Sequence, residues 1–334
     1  MTRFSFFLFV LFLAGPGTSF PALAQVITHN QPGSNAERFT KMFDRSDIWL
    51  GADGIYSIPL NGNDDWGSAN KESGTLFVFS DTMVGTADPE TKRFRDANMV
   101  NHSAAILSNY EPTQAAEQEH TIRFFYGRNG DLSRTNLFGK RYWLQDGIAI
   151  DGKVYLTAMI PGPQWKPTQI DLISVPIASS DTLDWAKATI TEKFAAIFAE
   201  NELYHAVFGI GILDHIAKDG YVYVYGYRDT LRTGQKFLIA ARVKPESFAK
   251  ADEWRFWDGS SPIGPFGEAV IFHRAPEPTE MGPPIYSYNA KAHPHLSAPG
   301  LLLISYNVNR LRSLPHTTDD YRPRFIELRI SEIK

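Results

Sequence analysis

Three aspartates stand at the ends of apolar, strand-like segments, and paired carboxylates can perform general acid and general base catalysis. Asp53 begins the segment GADGIYSIPL, Asp81 ends TLFVFSDT, and Asp146 begins a third segment of this kind. We interpret all three as candidate catalytic residues, with Asp146 able to tune the pKa of a neighbour through its like charge. The structural alternative is that Asp53-Gly54 is a turn dipeptide and that Asp81 caps its own loop.

A second set of polar residues follows the same strand ends and could bind a hydroxyl-rich ligand. Amide side chains suit such ligands because they both donate and accept hydrogen bonds. For Arg324, a surface ion pair is an equal alternative. The candidate substrate-binding residues are Asn101, Arg228, His293, Asn307, Asn309 and Arg324.

The sequence predicts no metal site and no cofactor. The chain has no cysteine, which removes thiolate ligands. His293 and His295 could place two imidazoles on one strand face, but no nearby carboxylate completes a ligand set, so we favour packing at a strand entry. A phosphate-binding glycine loop and a nucleophile elbow are both absent from the sequence. Bound calcium is left open.

The elements that must position these residues read as repeated hairpins, which predicts an all-β fold. A turn dipeptide precedes a strongly apolar strand four times, and its glycines follow one another at intervals of 78, 68 and 80 residues. This spacing suits the four-stranded blade of a β-propeller, with a two-sheet sandwich as the alternative. Residues 186–201 are the one candidate for a longer helix, although Thr189-Ile190-Thr191 favours a strand at its start. The four dipeptides are Ser73-Gly74, Asp151-Gly152, Asp219-Gly220 and Pro299-Gly300.

Hairpin geometry predicts which of these residues share one rim of the fold. In an antiparallel hairpin, the start of the first strand and the end of the second lie at the same edge. Polar groups that converge at a propeller mouth are the default ligand site. One rim is therefore expected to carry Asp53, Asp81, Asp146, Arg228, Asp229, His293 and Asn307, and the other Asp151, Asp214 and Asp219.

The composition and the N-terminal sequence indicate which partners and which cellular compartment to expect. The 334 residues contain 33 Lys and Arg against 37 Asp and Glu, and no stretch concentrates basic residues, so nucleic acid is an unexpected partner. Arg3, an apolar run over residues 4–14 and the Ala22-Leu23-Ala24 triplet predict a signal peptide cleaved before Gln25. A membrane anchor is the alternative, but this run spans about half of a hydrocarbon core.

We therefore expect a signal peptide at residues 1–24, an N-terminal extension at 25–45 and a single β-propeller domain at 46–334. The mature protein is expected to be secreted or periplasmic, monomeric and free of the membrane.

A series of motifs carries a resemblance to a known family. WLGADG at 49–54 with YSIP after it, and LFVFSDT at 76–82, match W-G-x-D-G-x-Y-S and L-W-x-F-G-D-T signatures. Over about residues 46–330 the combination of motifs resembles that of secreted five-bladed β-propeller glycoside hydrolases, the group that includes the endo-D-arabinanases and their uncharacterised bacterial relatives. The further matches are NHS at 101–103, YWLQDG at 142–147, VYVYG at 222–226, ARV at 241–243, WRFW at 254–257, KAHP at 291–294, SYNVN at 305–309 and YRPRF at 321–325.

The resemblance implies a β-propeller of the five-bladed glycosidase type, and one departure from it bears on catalysis. Such relatives have a complete fourth blade before a G-P-W segment, whereas here Trp257 is followed almost directly by GPFGE at 264–268. The fourth blade is therefore expected to be reduced, with a ring of four blades as the alternative. Glu268 is the carboxylate nearest to any catalytic acid that this blade would carry.

Two functions follow from the resemblance. Glycoside hydrolysis uses two carboxylates that flank the scissile bond, one protonated and one ionised. Asp53, as general base or nucleophile, and Asp81, as its partner, would form that pair in a secreted hydrolase acting on an arabinan or a similar furanose-containing glycan. The alternative is a non-catalytic carbohydrate-binding propeller that has lost the catalytic acid. In both cases the partner is a poly- or oligosaccharide.

Overall fold

The computed structural model describes residues 34–113, 120–163, 167–194, 196–198, 204–230, 236–257, 273–310 and 315–330. The predicted signal peptide, Glu268 and the segment expected to hold the reduced fourth blade lie outside these ranges. The fold is mostly β, as predicted. None of the helices in the described ranges is long and apolar enough to cross a membrane.

Short strands make up most of the described chain. In the first half they are β1 (Ser34–Asn35), β2 (Asp47–Ala52), β3 (Tyr56–Pro59), β4 (Thr75–Phe79), β5 (Thr82–Ala87), β6 (Phe94–Val100), β7 (Ser103–Ser108), β8 (Thr121–Phe125), β9 (Trp143–Ile150) and β10 (Lys153–Pro161). In the second half they are β11 (Pro167–Ser179), β12 (Thr182–Leu183), β13 (Thr189–Thr191), β14 (Ala196–Phe198), β15 (Tyr204–His215), β16 (Tyr221–Thr230), β17 (Lys236–Val243), β18 (Arg255–Trp257), β19 (Ile285–Ala292), β20 (Leu301–Arg310) and β21 (Arg324–Arg329). The α-helices are α1 (Glu37–Met42), α2 (Ile216–Asp219) and α3 (Glu277–Glu280).

The strands pair antiparallel into five sheets. The first sheet has the order β3-β4-β7-β8, and the second has the order β12-β11-β10-β9 with β13 also on β11. The third sheet is β14-β15-β16-β17-β18, and the fourth is β1-β21-β20-β19. A three-stranded accessory sheet, β2-β5-β6, is formed by the strand before the first sheet and by a hairpin inserted between β4 and β7.

Three of the four predicted turn glycines adopt a left-handed turn conformation, whereas Gly74 does not and ends the long connection between β3 and β4. Gly152, Gly220 and Gly300 have φ values of 71°, 78° and 72°, a left-handed conformation that glycine adopts without steric cost. The apolar strands expected after the four turn dipeptides are β4, β10, β16 and β20. Each of them pairs with the strand that precedes it in its sheet.

The four larger sheets contact one another through β3, β9, β15 and β19, which we call the inner strands. Each inner strand, or a residue beside it, is hydrogen-bonded to the next in cyclic order, and the last contacts the first. The bonds are Ser80 Oγ to Leu144 O (3.1 Å), Ile212 N to Asp146 Oδ2 (2.8 Å), Lys291 Nζ to Ile210 O (3.4 Å) and Ser57 Oγ with His293 Nδ1 (2.7 Å).

Apolar faces of neighbouring sheets form the core. The first and second sheets bury Ile58, Leu76, Leu156 and Ile173 together, and the second and third sheets bury Ile148, Leu172, Val207 and Val224. A third cluster, rich in aromatic rings, joins the first, fourth and accessory sheets: Phe43 stacks on Phe325 at 5.3 Å, and Trp49 lies 5.2 Å from Phe79.

The first described residues of the chain pack against the sheets and their core. β1 pairs with β21, and α1 buries Phe39 and Met42 in the aromatic cluster. Residues 34–45, which the sequence assigned to an N-terminal extension, therefore pack as part of the fold, because their apolar side chains complete its core.

In the described part of residues 186–201 the longer helix is not formed, and the strand favoured at Thr189–Thr191 is confirmed. Thr189–Thr191 forms β13 on the edge of the second sheet, and Ala196–Phe198 forms β14. The β-branched side chains of Thr189, Ile190 and Thr191 explain this outcome, because they lose rotamer freedom in a helix and fit a pleated surface.

Candidate active site

Asp53 and Asp81 lie side by side at one end of the first sheet. Asp53 lies between β2 and the inner strand β3, three residues before Tyr56, and Asp81 follows β4. The Asp53 N–H donates to the Asp81 carbonyl at 3.2 Å, and the Ser80 N–H donates to the Asp53 carbonyl at 2.8 Å. Gly54 permits this close approach, because its φ is 65° and a Cβ there would meet Ser80 Oγ at 2.7 Å.

The Asp53 carboxyl is half-buried and is bound by tyrosine. Tyr288 OH donates to Asp53 Oδ2 at 2.8 Å, and Asn309 Nδ2 donates to Tyr288 OH at 3.2 Å. Burial, followed by the charge of Asp81, raises the pKa of Asp53 to about 7, while hydrogen bonds from Tyr288 and Tyr321 act in the opposite direction. Asp53 is therefore placed to hold or release a proton near neutral pH.

Asp81 has a different set of neighbours. Asn101 Nδ2 donates to its Oδ1 at 3.1 Å, and Tyr321 OH donates to its backbone carbonyl at 3.0 Å. Burial raises the pKa of Asp81, while Asn101, Trp143 and Arg141 lower it. Asn101, predicted to contact substrate, is thus engaged with the carboxylate itself.

Asp146 lies in a β-bulge of the second sheet rather than at the strand head. β9 places Gln145 and Asp146 opposite Thr157 alone, between the pairs Gly147–Leu156 and Leu144–Ala158. Its carboxyl accepts the N–H of Gly147 and the N–H of Ile212, both at 2.8 Å.

Charged side chains also act on Asp146. Burial raises its pKa to about 7; Asp64 adds to this effect, and Lys291 opposes it. Asp146 is therefore influenced by the charges of Asp64 and Lys291, which belong to different segments from the Asp53–Asp81 pair.

Asn307 and His293 are fully buried, so the structure does not place them in contact with a ligand. Asn307 Nδ2 donates to Ala52 O at 2.9 Å, and its Oδ1 accepts the Gly54 N–H at 3.3 Å, so the amide holds the backbone on both sides of Asp53. We therefore assign Asn307 a positioning role.

His293 does not lie at a strand head as the sequence suggested. The strand head is Ile285, because β19 begins eight residues before His293, which follows the end of the strand. Its ring bonds Ser57 Oγ at 2.7 Å and Ser305 Oγ at 2.8 Å, and burial lowers its pKa to about 3. His293 is therefore a neutral core residue.

The two predicted arginines have different surroundings. Arg324 forms an ion pair with Glu277 at 3.1 Å, and the two side chains are only 12% and 10% exposed, so this arginine is held inside the fold. Arg228 is half-buried and lies opposite Ala206 near the end of β16, at the edge where β15 begins.

No group of three or more histidine and carboxylate side chains in the described ranges could hold a metal ion. His295 instead bonds Asp64 through Nδ1 at 2.9 Å.

Sequence reasoning missed three residues that the structure brings to the carboxylates: Tyr288, Tyr321 and Lys291. The alternation of Tyr286 and Tyr288 was an available signal, since residues two apart share one face of a strand. The two rings stack at 5.0 Å in β19. The contacts of Tyr321 and Lys291 depend on the tertiary fold and have no local signal.

Comparisons with known proteins bear on the fold. No curated protein matches the chain. The chain is similar to the crystal structure of a "putative hydrolase" from Bacteroides ovatus ATCC 8483, with a TM-score of 0.61 and 15% identity over 94% of this chain and 97% of the other. At this identity the likeness shows a shared fold.

An endo-arabinase from Bacteroides thetaiotaomicron VPI-5482 is aligned over 87% of this chain and 99% of its own at 9% identity, but the TM-score of 0.29 does not establish a common fold. A family described as a domain of unknown function, DUF5005, matches residues 36–261 and 255–330, which is most of the sequence. The chain therefore belongs to the DUF5005 family.

Proposed function

We propose that the protein is a glycoside hydrolase whose catalytic pair is Asp53 and Asp81. The observation that carries the proposal is the pair itself: two half-buried carboxylates on adjoining backbone, each bound by a neutral donor, and both with raised pKa values. Glycoside hydrolysis needs one protonated and one ionised carboxyl group.

The surroundings favour a particular division of roles. Asp53, with a pKa near 7, would give its proton to the leaving glycosidic oxygen, and Asp81 would act as the ionised partner that activates water or attacks the anomeric carbon. This reverses the order expected from the sequence, where Asp53 was the general base. Tyr288 and Asn309 would hold the Asp53 carboxyl in place.

We propose in addition that the four larger sheets are the blades of a four-bladed propeller. The cyclic hydrogen bonding of β3, β9, β15 and β19 supports this arrangement. The accessory sheet then covers the first and fourth blades. β1 would close the ring, because it adds the first strand of the described chain to the last sheet.

An arabinan or a similar furanose-containing glycan is the proposed substrate, and the resemblance of the motifs is what supports it. Secretion or export to the periplasm is proposed on the N-terminal pattern, and it predicts a mature protein that begins at Gln25. N-terminal mass spectrometry of the exported protein tests this, and an intact Met1 in that fraction contradicts it.

The test of function is the release of reducing ends from arabinan and related glycans. Asp53→Asn and Asp81→Asn should each lower kcat by at least about 10²–10⁴-fold, because an amide cannot exchange the proton. Asp151→Asn is the matched control, since Asp151 is exposed in the turn between β9 and β10. Retained turnover in both site variants contradicts the pair. A wild type that binds the glycan without cleaving it favours the carbohydrate-binding alternative.

A further inference from the structure

Lys291 lies at an irregular point of the inner strand β19. The strand pairs Tyr288 with Asn307 and Lys291 with Ser305, so two residues between them, Asn289 and Ala290, face a single residue of β20. Such a bulge changes the direction in which following side chains point, and bulges are enriched next to active sites.

Within the described part of the chain, the ammonium group of Lys291 has polar neighbours but no ionic partner. Its Nζ lies 4.4 Å from the centroid of the Tyr56 ring and 3.4 Å from the carbonyl oxygen of Ile210. Among the described residues, no carboxylate lies within ion-pairing distance of it. A half-buried ammonium without a counter-ion is costly to retain, because it has lost part of its hydration.

Asp146 is a candidate counter-ion, because its charge interacts with that of Lys291, but its contacts argue against that role. Both of its carboxylate oxygens already accept backbone N–H groups, from Gly147 and Ile212. Lys291 influences Asp146 only through its charge. At least part of the hydrogen-bonding capacity of the ammonium, which has three N–H donors, is therefore left for a ligand.

Lys291 also stands at a defined separation from the catalytic pair. Tyr288, which binds Asp53, precedes it by three residues on β19, and Tyr56, which it covers, follows Asp53 by three residues on the first sheet. Three residues of chain span at most about 10 Å, and less here because Asn289 and Gly54 both have positive φ values. A glycan held at Asp53 would thus place a neighbouring sugar unit beside Lys291.

We propose that Lys291 binds the carboxylate of a uronic acid residue in the glycan, next to the cleaved linkage. This inference rests on the proposed function and narrows its substrate class: the furanose-containing glycan carries an acidic sugar. The ammonium is a point charge with its remaining donors available, and a carboxylate offers it two acceptor oxygens. The Tyr56 ring and the Ile210 carbonyl hold the cation in place without neutralising it.

The experiment measures binding separately from turnover, by calorimetry with the Asp53→Asn protein so that the ligand is not consumed. The probes are an arabino-oligosaccharide that bears one glucuronic acid residue, the same compound with its carboxyl reduced to the alcohol, and a sulfated analogue. Lys291→Met and Lys291→Arg are compared with Lys244→Met. Lys244 is the matched control, because its Nζ also lies over a tyrosine ring, at 3.9 Å, and near a backbone carbonyl.

We expect the acidic probe to bind more tightly than the reduced probe. Lys291→Met should weaken binding of the acidic probe about 10- to 100-fold and change binding of the reduced probe less than about twofold. Lys291→Arg should keep part of the preference for the acidic probe, and Lys244→Met should keep all of it. Added salt should weaken the binding of the acidic probe alone.

Two results would overturn the inference. One is equal affinity for the acidic and reduced probes in the Asp53→Asn protein with Lys291 intact. The other is an equal loss of affinity for both probes when Lys291→Met is added. Tighter binding of the sulfated analogue would overturn the assignment to a carboxylate. Charge-dependent binding without any cleavage by the wild type would support the Lys291 site and contradict the hydrolase. An unsaturated uronate product would do the same, because it would show elimination instead of hydrolysis.

Discussion

Replacing Asp53 with asparagine should stabilise the protein at alkaline pH while it abolishes turnover. Burial raises the pKa of Asp53 from 3.8 to about 7, so the folded protein holds this proton more tightly than the unfolded chain. Stability therefore falls as the pH rises between about 4 and 7, and above that range the full cost of the buried charge remains.

The size of the effect follows from the pKa difference. At about 1.4 kcal/mol for each pKa unit, a difference of about three gives an upper limit of about 4 kcal/mol. Because the carboxyl is half-buried and water reaches it on one side, we expect about 2 kcal/mol at pH 8 and close to zero at pH 4. Asparagine keeps the acceptor oxygen for Tyr288 OH, so the variant retains that hydrogen bond.

Denaturant unfolding of the wild type and of Asp53→Asn between pH 4 and pH 9 measures this difference. Asp151→Asn, in an exposed turn, should show no comparable dependence on pH. A difference between Asp53→Asn and wild type that stays constant across this range, or a variant that is less stable at pH 8, would refute the reasoning. A gain in stability from removing the proposed catalytic group is the trade-off expected where function requires a strained site.

Three further substitutions test the other assignments by denaturant unfolding. Asp146→Asn should lose about 1–3 kcal/mol at pH 5, because an amide nitrogen cannot accept one of the two backbone N–H groups that the carboxyl accepts; unchanged stability contradicts the bulge geometry. His293→Asn should gain stability relative to wild type as the pH falls from 6.5 towards 4, since burial lowers the pKa of His293 and wild-type folding must keep the ring neutral; a constant difference contradicts this. Arg324→Met should cost about 3–5 kcal/mol by leaving Glu277 unpaired, and adding Glu277→Gln should recover part of it; additive losses would show that the pair is not coupled.

Turn chemistry made the hairpins predictable from the sequence. Gly152, Gly220 and Gly300 mark turns because only glycine adopts their conformation freely, and each is followed by an apolar strand. The adjacency of Asp53 and Asp81 followed from the same logic, since a hairpin brings the start of one strand to the end of the other.

The errors arose where the regular alternation of a strand is broken or where a contact spans the whole chain. The bulge at Asn289 and Ala290 interrupts the alternating pattern of β19. For that reason the strand that starts at Ile285 was not recognised, and His293 was predicted to begin a strand that in fact ends just before it. Asn307 was placed at the end of its strand, which in fact continues to Arg310, and whether its amide faces a ligand or the backbone of Ala52 is decided by packing. Tyr288 reaches Asp53 across most of the sequence, and no local pattern encodes that contact.

The bulges of the inner strands explain how the backbone of an antiparallel sheet can form hydrogen bonds with charged side chains. In a regular ladder the backbone N–H and C=O groups are used by neighbouring strands, whereas a bulge releases some of them. In β15 the register shifts at Gly209 and Ile210. The Ile210 carbonyl lies at the Lys291 ammonium, and the N–H of Ile212, two residues further on, binds the Asp146 carboxyl.

Only glycine fits the first position of this bulge. Gly209 has a φ of 92°, and a Cβ there would lie 2.4 Å from Thr157 Oγ1. The carbonyls of Gly209 and Asp146 share the single hydroxyl proton of Thr157, at 2.9 Å and 3.1 Å from its Oγ1, which joins the bulge of β15 to the bulge of β9. The two bulges of neighbouring sheets therefore stabilise each other. Their backbone groups bind the Asp146 carboxyl and the Lys291 ammonium separately, without an ion pair between the two.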